Sequence, residues 1–180
     1  MNKTEIIKHI KGYIIGFSLF IIFIPILIFN IARMPMPLFQ ITIFTLNYIN
    51  YVIAIPLFLI GVVFAIWSNI DLFRIGKGGP TDVFNIVISP RTKKLVINGP
   101  YRYTRNPMVF GMNSIYLSIA IYLNSLISLI FVILFLLIIV IYIRLIEEKR
   151  LLKDFGNEYL EYKRDVSMII PFLSKKTKNI

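Results

Sequence analysis

The sequence predicts an all-α integral membrane protein with about four transmembrane helices, a polar lid segment and an amphipathic C-terminal helix. Hydrophobic residues make up 57% of the 180 residues and charged residues 16%, with a mean hydropathy of +0.77. Lys, Arg, Asp and Glu are absent between Arg33 and Asp71, between Arg105 and Arg144, and from 12–32. Since about 20 apolar residues in a helix span a bilayer, each stretch is long enough to cross.

The first predicted span covers residues 13–31. Three lysines and an apolar run form a pattern that also begins secretory signal peptides. However, this run has the length of a full span, and no small-residue cleavage site follows it. We therefore expect it to be retained as a membrane helix.

The uncharged stretch 34–70 is longer than one span requires. We predict one helix near 48–70, preceded by an interfacial piece that contains Met34-Pro35-Met36-Pro37. The alternative is a short pair of helices, which would place the basic residues after Asp71 on the opposite side from the N-terminus.

The last uncharged stretch is predicted to form a tight hairpin. Its arms cover 107–123 and 125–143, and Asn124-Ser125 provides the turn. Each arm has about seventeen residues, at the short end of the spanning range. An antiparallel hairpin brings the start of its first arm and the end of its second to the same membrane surface.

The charge distribution predicts the topology. With four spans, nineteen of the twenty Lys and Arg residues share one side, and only Arg33 lies opposite. Cytoplasmic loops are enriched in Lys and Arg, so both termini and segment 71–106 are expected in the cytoplasm of a cell-membrane protein. Topology and anionic lipids account for the net charge of +11, and we predict no nucleic-acid partner.

One single domain, 1–180, is expected, with two polar parts. Residues 71–106 contain many turn residues but keep apolar ones, which predicts an ordered lid at the membrane surface rather than a regular helix. The tail 144–180 has a helical stripe of apolar and aromatic residues, with a candidate break at Gly156. The stripe consists of Leu145, Leu152, Phe155, Tyr159, Tyr162 and Val166.

Several site classes are not supported by the sequence. The chain has no cysteine, and its only histidine, His9, lies in the N-terminal flank. We therefore predict no thiolate or histidine metal site and no Ser-His relay. The glycines at 76–79 lack the GKS or GKT ending of a phosphate loop, and no GxGxxG occurs.

The densest polar cluster, NGPYRYTRNPM at 98–108, precedes the predicted hairpin. Gly99-Pro100 is predicted to form a turn, and Asn106 and Pro107 suit the N-cap and first position of a helix. On local physics alone, a structural interpretation of the cluster is as good as a functional one.

An acidic pair follows the hairpin. A helical projection puts Glu148 on the apolar stripe and Glu147 one step away, and a carboxylate on a packed face needs a partner. Arg105 and Arg102 are the candidate partners at the same surface. We predict a pocket lined by Tyr101, Arg105, Asn106 and either Glu147 or Glu148; the alternative is an ion pair that closes the hairpin base.

These motifs resemble the isoprenylcysteine carboxyl methyltransferase family and its phospholipid methyltransferase relatives. The resemblance covers 76–172 and includes, in order, Leu95-Val96, Gly99-Pro100-Tyr101-Arg102, Arg105-Asn106-Pro107-Met108, Gly111, Glu147-Glu148, Phe155-Gly156-Asn157-Glu158-Tyr159 and Tyr162. It implies S-adenosylmethionine as cofactor, bound at the cytoplasmic face by Leu95, Val96, Tyr101, Asn106, Pro107 and Glu147, with Glu148 as second choice for the acidic contact.

The sequence departs from the family pattern at Asn106 and Ile143. The family commonly has histidine at position 106, and since an amide does not titrate near neutral pH, Asn106 is not expected to act as a base. Its eukaryotic carboxyl methyltransferases have a substrate-linked arginine at the position of Ile143, which weakens the assignment of a prenylcysteine carboxylate. On this hypothesis the candidate catalytic residues are Glu147, which binds the polar end of the cofactor, and Arg105, which orders the site or an anionic substrate.

The expected function is methyl transfer, at the lipid bilayer, to the carboxylate or thiol of a lipidic or prenylcysteine-like substrate. The enzymatic alternatives are a phosphatidylethanolamine-type N-methyltransferase and a small-thiol S-methyltransferase. The alternative outside enzymes is a small scaffold or transporter, although transporters often bury charges in their spans and these spans have none. A hydrophobic small molecule is the expected partner.

Overall fold

The computed structural model describes residues 3–46, 48–77, 82–83, 86–87 and 92–172. The chain begins with helix α1 (Lys3–Gly16), continues through a π-helical segment (Phe17–Phe23) and passes directly into α2 (Ile24–Ala32). Pro25, the second residue after the π-helical segment, has no N–H to donate to an α-helical hydrogen bond. The proline therefore accounts for the wider turn that precedes it.

The longest helix, α3 (Ile49–Asp71), follows a 3₁₀ turn at Pro37–Gln40 and leads into a second π-helical segment, Leu72–Gly76. Its buried positions Ala54, Gly61 and Ser68 lie seven residues apart, so they form one stripe of small side chains along the helix. Small residues let helix backbones approach closely in a membrane.

That stripe packs against α4 (Pro107–Tyr122), and this is the most extensive helix pair in the described chain. A Cβ added to Gly61 would lie 2.7 Å from the carbonyl oxygen of Gly111, and one added to Gly111 would lie 2.6 Å from the backbone nitrogen of Ala65. The two backbones are therefore in contact, and only glycine fits at either position.

A tight turn joins α4 to α5 (Leu126–Tyr142), with Asn124 in the left-handed region at φ 50°. The Asn124 Oδ1 accepts hydrogen bonds from the backbone N–H groups of Ile43 and Phe44, at 3.0 and 2.8 Å. The Ser125 hydroxyl caps α5 by accepting from the Ser128 N–H at 3.3 Å. Ser125 therefore caps the helix that follows the turn, and Asn124 bonds the turn to residues 43–44, which precede α3.

Helices α2, α4 and α5 enclose the hydrophobic core, which contains Ile24, Ile28, Tyr116, Ala120 and Val132. The π-helical segment contributes to this packing. The Ile24 N–H bonds to Leu19 rather than Phe20, and the Phe20 carbonyl instead accepts the Tyr116 O–H at 2.7 Å. A buried phenol is thereby satisfied without a charged partner.

The predicted fold class is confirmed: the protein is an all-α integral membrane protein. The described residues contain three helices long and apolar enough to cross a bilayer, at Ile10–Ala32, Ile49–Gly76 and Leu126–Asp165. The shorter apolar helix is α4. Its 16 residues extend about 24 Å, less than a typical hydrocarbon core, and it is the helix most enclosed by its neighbours.

The polar parts complete the fold. Two-residue strands β1 (Asp82–Val83) and β2 (Ile86–Val87) form an antiparallel pair within the predicted lid. Much of that lid, including 78–81 and the Ser89-Pro90 pair, lies outside the described residues, as do residues 173–180 of the tail.

A third π-helical segment (Ile143–Glu147) joins α5 to α6 (Glu148–Asp165). The predicted break in α6 is confirmed, because Gly156 has φ 55° and ψ −128°. A positive φ of this kind strains any residue with a Cβ. The predicted apolar stripe is divided: Leu145 and Leu152 are exposed, whereas Tyr159 is buried.

Candidate active site

A cavity of about 260 Å³ lies where segment 92–106 meets the start of α4 and the end of α5. Polar side chains line one end of it, and apolar side chains from within the bundle line the other. The polar end includes Thr92, Tyr101, Arg105, Asn106, Glu147, Arg150, Tyr159 and Tyr162, and the apolar end includes Phe20, Met112, Tyr116, Phe135, Leu136 and Ile139.

Each of the three π-helical segments in the described chain contributes to the cavity lining. Phe20 comes from the first, Leu72 from the second, and Ile143 and Glu147 from the third. A π-helical turn contains an extra residue, so the residues after it are rotated by about 100° relative to an unbroken α-helix. Such turns are common at functional sites, where they redirect side chains.

The two adjacent glutamates have different surroundings. Glu147 lines the cavity, with 32% of its side chain exposed, and its Oε1 lies 3.6 Å from Arg150 Nη2. Glu148 is buried, with 8% exposed, and does not line the cavity. The helical projection correctly placed Glu148 on the packed face. The family resemblance pointed to Glu147, and this is the glutamate that lines the cavity, at the end of the third π-helical segment.

Arg105 is the partner of Glu148. Its Nη1 lies 2.6 Å from Glu148 Oε1 and donates to the Tyr159 hydroxyl at 3.4 Å, while Lys163 Nζ contacts Glu148 Oε2 at 2.6 Å. Both oxygens of the buried carboxylate are thus paired with cations, as burial of a charge requires. The sequence left a pocket and an ion pair at the hairpin base as alternatives, and the structure contains both. Glu148 forms the ion pair, and Glu147 lines the pocket.

Of the two candidate partners of the acidic pair, Arg105 is the one that pairs with Glu148, and Arg102 lies elsewhere. Its guanidinium lies over the ring of Tyr103, 4.7 Å from the centroid, and Arg102 does not line the cavity. By contrast, Arg105 lines the cavity and retains a buried Nε N–H with no hydrogen-bond partner among the described residues. A buried donor of this kind can be satisfied by a bound ligand or by water.

Asn106 occupies the N-cap position of α4, but the prediction that its side chain caps the helix is wrong. Its Nδ2 instead donates to the Met168 carbonyl at 2.9 Å, an oxygen that also accepts from the Thr104 hydroxyl at 3.1 Å. Donation to this long-range acceptor fixes the orientation of the amide, and in that orientation its Oδ1 accepts from no N–H of the first turn of α4.

Residues 166–172, which we call the C-terminal strap, hold residues 103–106 in place. The Arg105 N–H donates to the Ser167 carbonyl at 2.8 Å, and the Phe172 N–H donates to the Tyr103 carbonyl at 3.3 Å. Phe172 also packs on the Tyr103 ring, with 4.8 Å between centroids. The strap therefore fixes the backbone at Tyr103 and at Arg105.

Two tyrosines fix the other side of the cavity. The Tyr162 hydroxyl donates to the Tyr101 carbonyl at 2.6 Å, and the Tyr101 hydroxyl donates to the Ser68 carbonyl at 3.5 Å. Burial raises the pKa of Tyr101, and the negative charges of Glu147 and Asp71 add to the effect. Burial also raises the pKa of Tyr162, so both phenols stay neutral near pH 7.

The predicted turn at Gly99-Pro100 is confirmed as a 3₁₀ turn, Gly99–Arg102. Gly99 has φ 59°, and a Cβ there would overlap the Asp71 carboxylate and lie 3.1 Å from Trp67 Nε1. Glycine is therefore required both for the backbone conformation and for the close approach to the end of α3. This contact places Tyr101 at the cavity.

The structure brings together most of the predicted site residues. Leu95, Val96, Tyr101, Arg105, Asn106, Pro107 and Glu147 all line the cavity, and Glu148 supports it through Arg105. Sequence reasoning missed the contributions of Arg150, Tyr159, Tyr162 and Asn113. The two tyrosines could have been predicted, because both lie on the apolar stripe of the tail. Arg150 could also have been predicted, because it follows Glu147 by about one helical turn.

Metal ligands are not clustered in the part of the chain that the structure describes: no group of three or more His, Cys, Asp or Glu residues there is placed to hold an ion.

Comparison with known families identifies a match over the helices that build the cavity. The model of the PEMT family, described as phospholipid methyltransferase, matches residues 49–158, which is more than half of the chain. The matched range contains α3, α4, α5 and the first part of α6, whereas Phe20 and Tyr159 lie outside it. Neither the curated proteins nor the solved structures that were compared contain a match.

Proposed function

Because the chain belongs to the phospholipid methyltransferase family, and is thus a membrane methyltransferase, we propose that its cavity binds S-adenosylmethionine and that its substrate is lipid-borne. The observation that supports this most strongly is the division of one continuous cavity into a charged end and an apolar end within the bundle. A polar cofactor and a hydrophobic acceptor need two such environments side by side. The distribution of cations favours a cytoplasmic charged end.

The residues at the charged end suit this cofactor. The Glu147 carboxylate suits its cationic or hydroxyl groups, and the unpaired Arg105 Nε N–H suits a carboxylate. Leu95 and Val96 offer apolar surface to a flat base, and the neutral Tyr101 ring can face a positive charge. When bound, S-adenosylmethionine supplies an electrophilic methyl group on a sulfonium.

The protein's own contribution is orientation and exclusion of water. Arg105 is held by Glu148, by Tyr159 and through its backbone by Ser167, so its guanidinium is fixed before any ligand arrives. Holding two reacting groups in the correct geometry lowers a barrier by several kcal/mol without any covalent chemistry by the enzyme. We assign this positioning role to Arg105 and Glu147.

The apolar end favours a substrate that is already dissolved in the bilayer. Its lining side chains Met112, Tyr116, Phe135 and Leu136 belong to α4 and α5, the hairpin within the membrane bundle. A lipid chain placed there removes apolar surface from contact with water and brings its polar end toward Arg105. A soluble substrate gains nothing from this half of the cavity.

The choice of methyl acceptor depends on the proton acceptors that line the cavity, of which Glu147 is assigned to the cofactor. Asn106 does not titrate near neutral pH, and the raised pKa values of Tyr101 and Tyr162 keep these phenols protonated. An acceptor that arrives as a carboxylate or thiolate needs no base, so we favour these over an amine. The enzymatic alternatives are a phosphatidylethanolamine-type amine and a small thiol.

Calorimetric titration of the purified protein in lipid nanodiscs, with S-adenosylmethionine and with its homocysteine product, tests cofactor binding. We expect both to bind, and Glu147→Ala combined with Tyr101→Ala to abolish binding. Glu158→Gln, which changes an exposed carboxylate on α6, is the matched control. Absence of binding to the unaltered protein, or unchanged binding by the double variant, would sink the proposed site.

Transfer of a labelled methyl group then distinguishes the acceptors. A prenylcysteine, a prenylated thiol, phosphatidylethanolamine and a short water-soluble thiol are each supplied with the protein in nanodiscs. We expect one of the first two to be labelled. Labelling of phosphatidylethanolamine alone would establish the amine alternative, and labelling of the short thiol alone would contradict a lipid-borne substrate.

A further inference from the structure

One polar side chain lies among the apolar residues of the cavity. Asn113 is on α4, six residues after Pro107, which places it about 9 Å further along the helix axis. It lines the cavity together with Met112 and Tyr116 of the same helix and Phe135 of α5. An amide is therefore present among mostly apolar side chains, and the hydroxyl of Tyr116 donates to Phe20 rather than to it.

Three buried hydroxyls of this bundle have backbone partners. The Ser114 hydroxyl donates to the Phe110 carbonyl at 2.8 Å, the Ser118 hydroxyl to Ile115 at 2.7 Å, and the Ser128 hydroxyl to Ile28 at 3.1 Å. These hydroxyls are satisfied by backbone carbonyls, so they need no ligand.

Asn113 differs because its Oδ1 is buried and has no donor among the described residues. Asn50 also has an unpaired buried Oδ1, but its Nδ2 donates to the Tyr122 carbonyl at 2.9 Å and it lies away from the cavity. A buried amide oxygen without a donor destabilises the folded protein, whereas leucine of similar size would not. A cavity residue with such a cost indicates a hydrogen bond that a ligand completes.

We propose that Asn113 is a positioning residue for the lipid substrate, and that its Oδ1 accepts a hydrogen bond from an O–H or N–H group of that lipid. This inference rests on the proposed function only in taking the lipid to be the methyl acceptor. It narrows the substrate class to lipids that have a hydrogen-bond donor below the charged end of the cavity, two helical turns from Asn106. A lipid with only hydrocarbon at this depth leaves Asn113 unpaired.

The test compares two isomeric ligands, 1-dodecanol and 1-methoxyundecane. They have the same atoms and similar length, but only the alcohol donates a hydrogen bond. Their dissociation constants are measured on the full-length protein in nanodiscs, after subtraction of partitioning into empty discs. For the unaltered protein we expect the alcohol to bind about five- to tenfold more tightly, as one net hydrogen bond allows.

Asn113→Leu removes the acceptor while keeping the volume, so we expect it to bind the two isomers equally and to unfold at the same or a higher temperature. Met112→Leu, at a neighbouring apolar position of the cavity, is the control and should keep the preference. Equal binding of the isomers by the unaltered protein overturns the inference. So does a preference that persists in Asn113→Leu.

The inference and the proposed function fail in different ways. If S-adenosylmethionine does not bind but the alcohol preference depends on Asn113, the proposed function is wrong and the lipid contact stands. If cofactor binding and methyl transfer are both observed and Asn113→Leu leaves the acceptor KM and kcat unchanged, Asn113 has no part in positioning the substrate. With a positioning role, we expect the acceptor KM to rise while cofactor affinity stays the same.

Discussion

Arg105 and Glu148 are forty-three residues apart in the chain and form a buried ion pair, with 2.6 Å between Nη1 and Oε1. The two residues come from the start of the hairpin and the helix after its end, so the pair closes the loop of chain between them. It also leaves the neighbouring Glu147 to the cavity. Each of these consequences can be measured.

Glu148→Gln should destabilise the protein by about 3 kcal/mol, because it leaves the Arg105 charge buried without a counterion. Thermal or denaturant unfolding in nanodiscs measures the loss. Lys163 is the other partner of Glu148, and the Lys163 side chain is 43% exposed. Lys163→Met should therefore destabilise the protein by less than about 1 kcal/mol. Similar losses for the two variants would contradict the buried pairing of Arg105.

Glu147→Gln should destabilise the protein less than Glu148→Gln, since the Glu147 side chain is 32% exposed and its pair with Arg150, one turn away at 3.6 Å, contributes only about 0.5 kcal/mol. The same variant should weaken binding of S-adenosylmethionine at least tenfold. Unfolding and calorimetry on one preparation separate the two effects. A large loss of stability with normal cofactor binding would give Glu147 a structural role instead.

Gly111→Ala should destabilise the bundle by about 1–3 kcal/mol, because its new Cβ would lie 2.6 Å from the Ala65 backbone nitrogen and force α3 and α4 apart. The unfolding midpoint is the measurement. Val63→Leu enlarges an α3 side chain that is 57% exposed and should leave the midpoint nearly unchanged. An unaffected Gly111→Ala protein would mean that the two helices can separate at little cost.

Asn106→Ala should loosen the C-terminal strap, since it removes the 2.9 Å hydrogen bond to the Met168 carbonyl. We expect a loss of about 1 kcal/mol and faster hydrogen exchange at the Phe172 amide, which bonds to Tyr103. Thr104→Val combined with Asn106→Ala leaves Met168 without either donor and should increase exchange further. If exchange there stays slow in both variants, the strap is held by other contacts.

Alkaline titration should destabilise the protein through Tyr159. Burial, with Glu148 as the next cause, raises its pKa to about 12, above the value near 10 of an unfolded chain. Below pH 10 both states keep the proton, and between pH 10 and 12 only the folded state does, so stability falls as pH rises through this window. Between pH 9 and 11.5, the melting temperature should fall less in Tyr159→Phe than in the unaltered protein. The same fall in both proteins would contradict this prediction.

Much of the candidate site was predictable because its signals are local. Gly99-Pro100 and Asn106-Pro107 place turns and helix starts by backbone preference, and the structure has a turn and a helix start there. The resemblance of ordered motifs then assigned Tyr101 and Glu147 to one pocket, and both line it. Local preference did not predict the partner of the Asn106 side chain, because that acceptor is 62 residues away.

The sequence by itself determined the class of this protein, since uncharged stretches of span length leave a chain no soluble alternative. Helical periodicity could not decide which glutamate faces the cavity, because a π-helical segment that ends at Glu147 changes the helical phase there; the tertiary structure decided it. It also decided that Asn113 has no partner while Ser114 has one. Hydropathy and periodicity are properties of one segment, whereas the partner of a side chain depends on which segments meet.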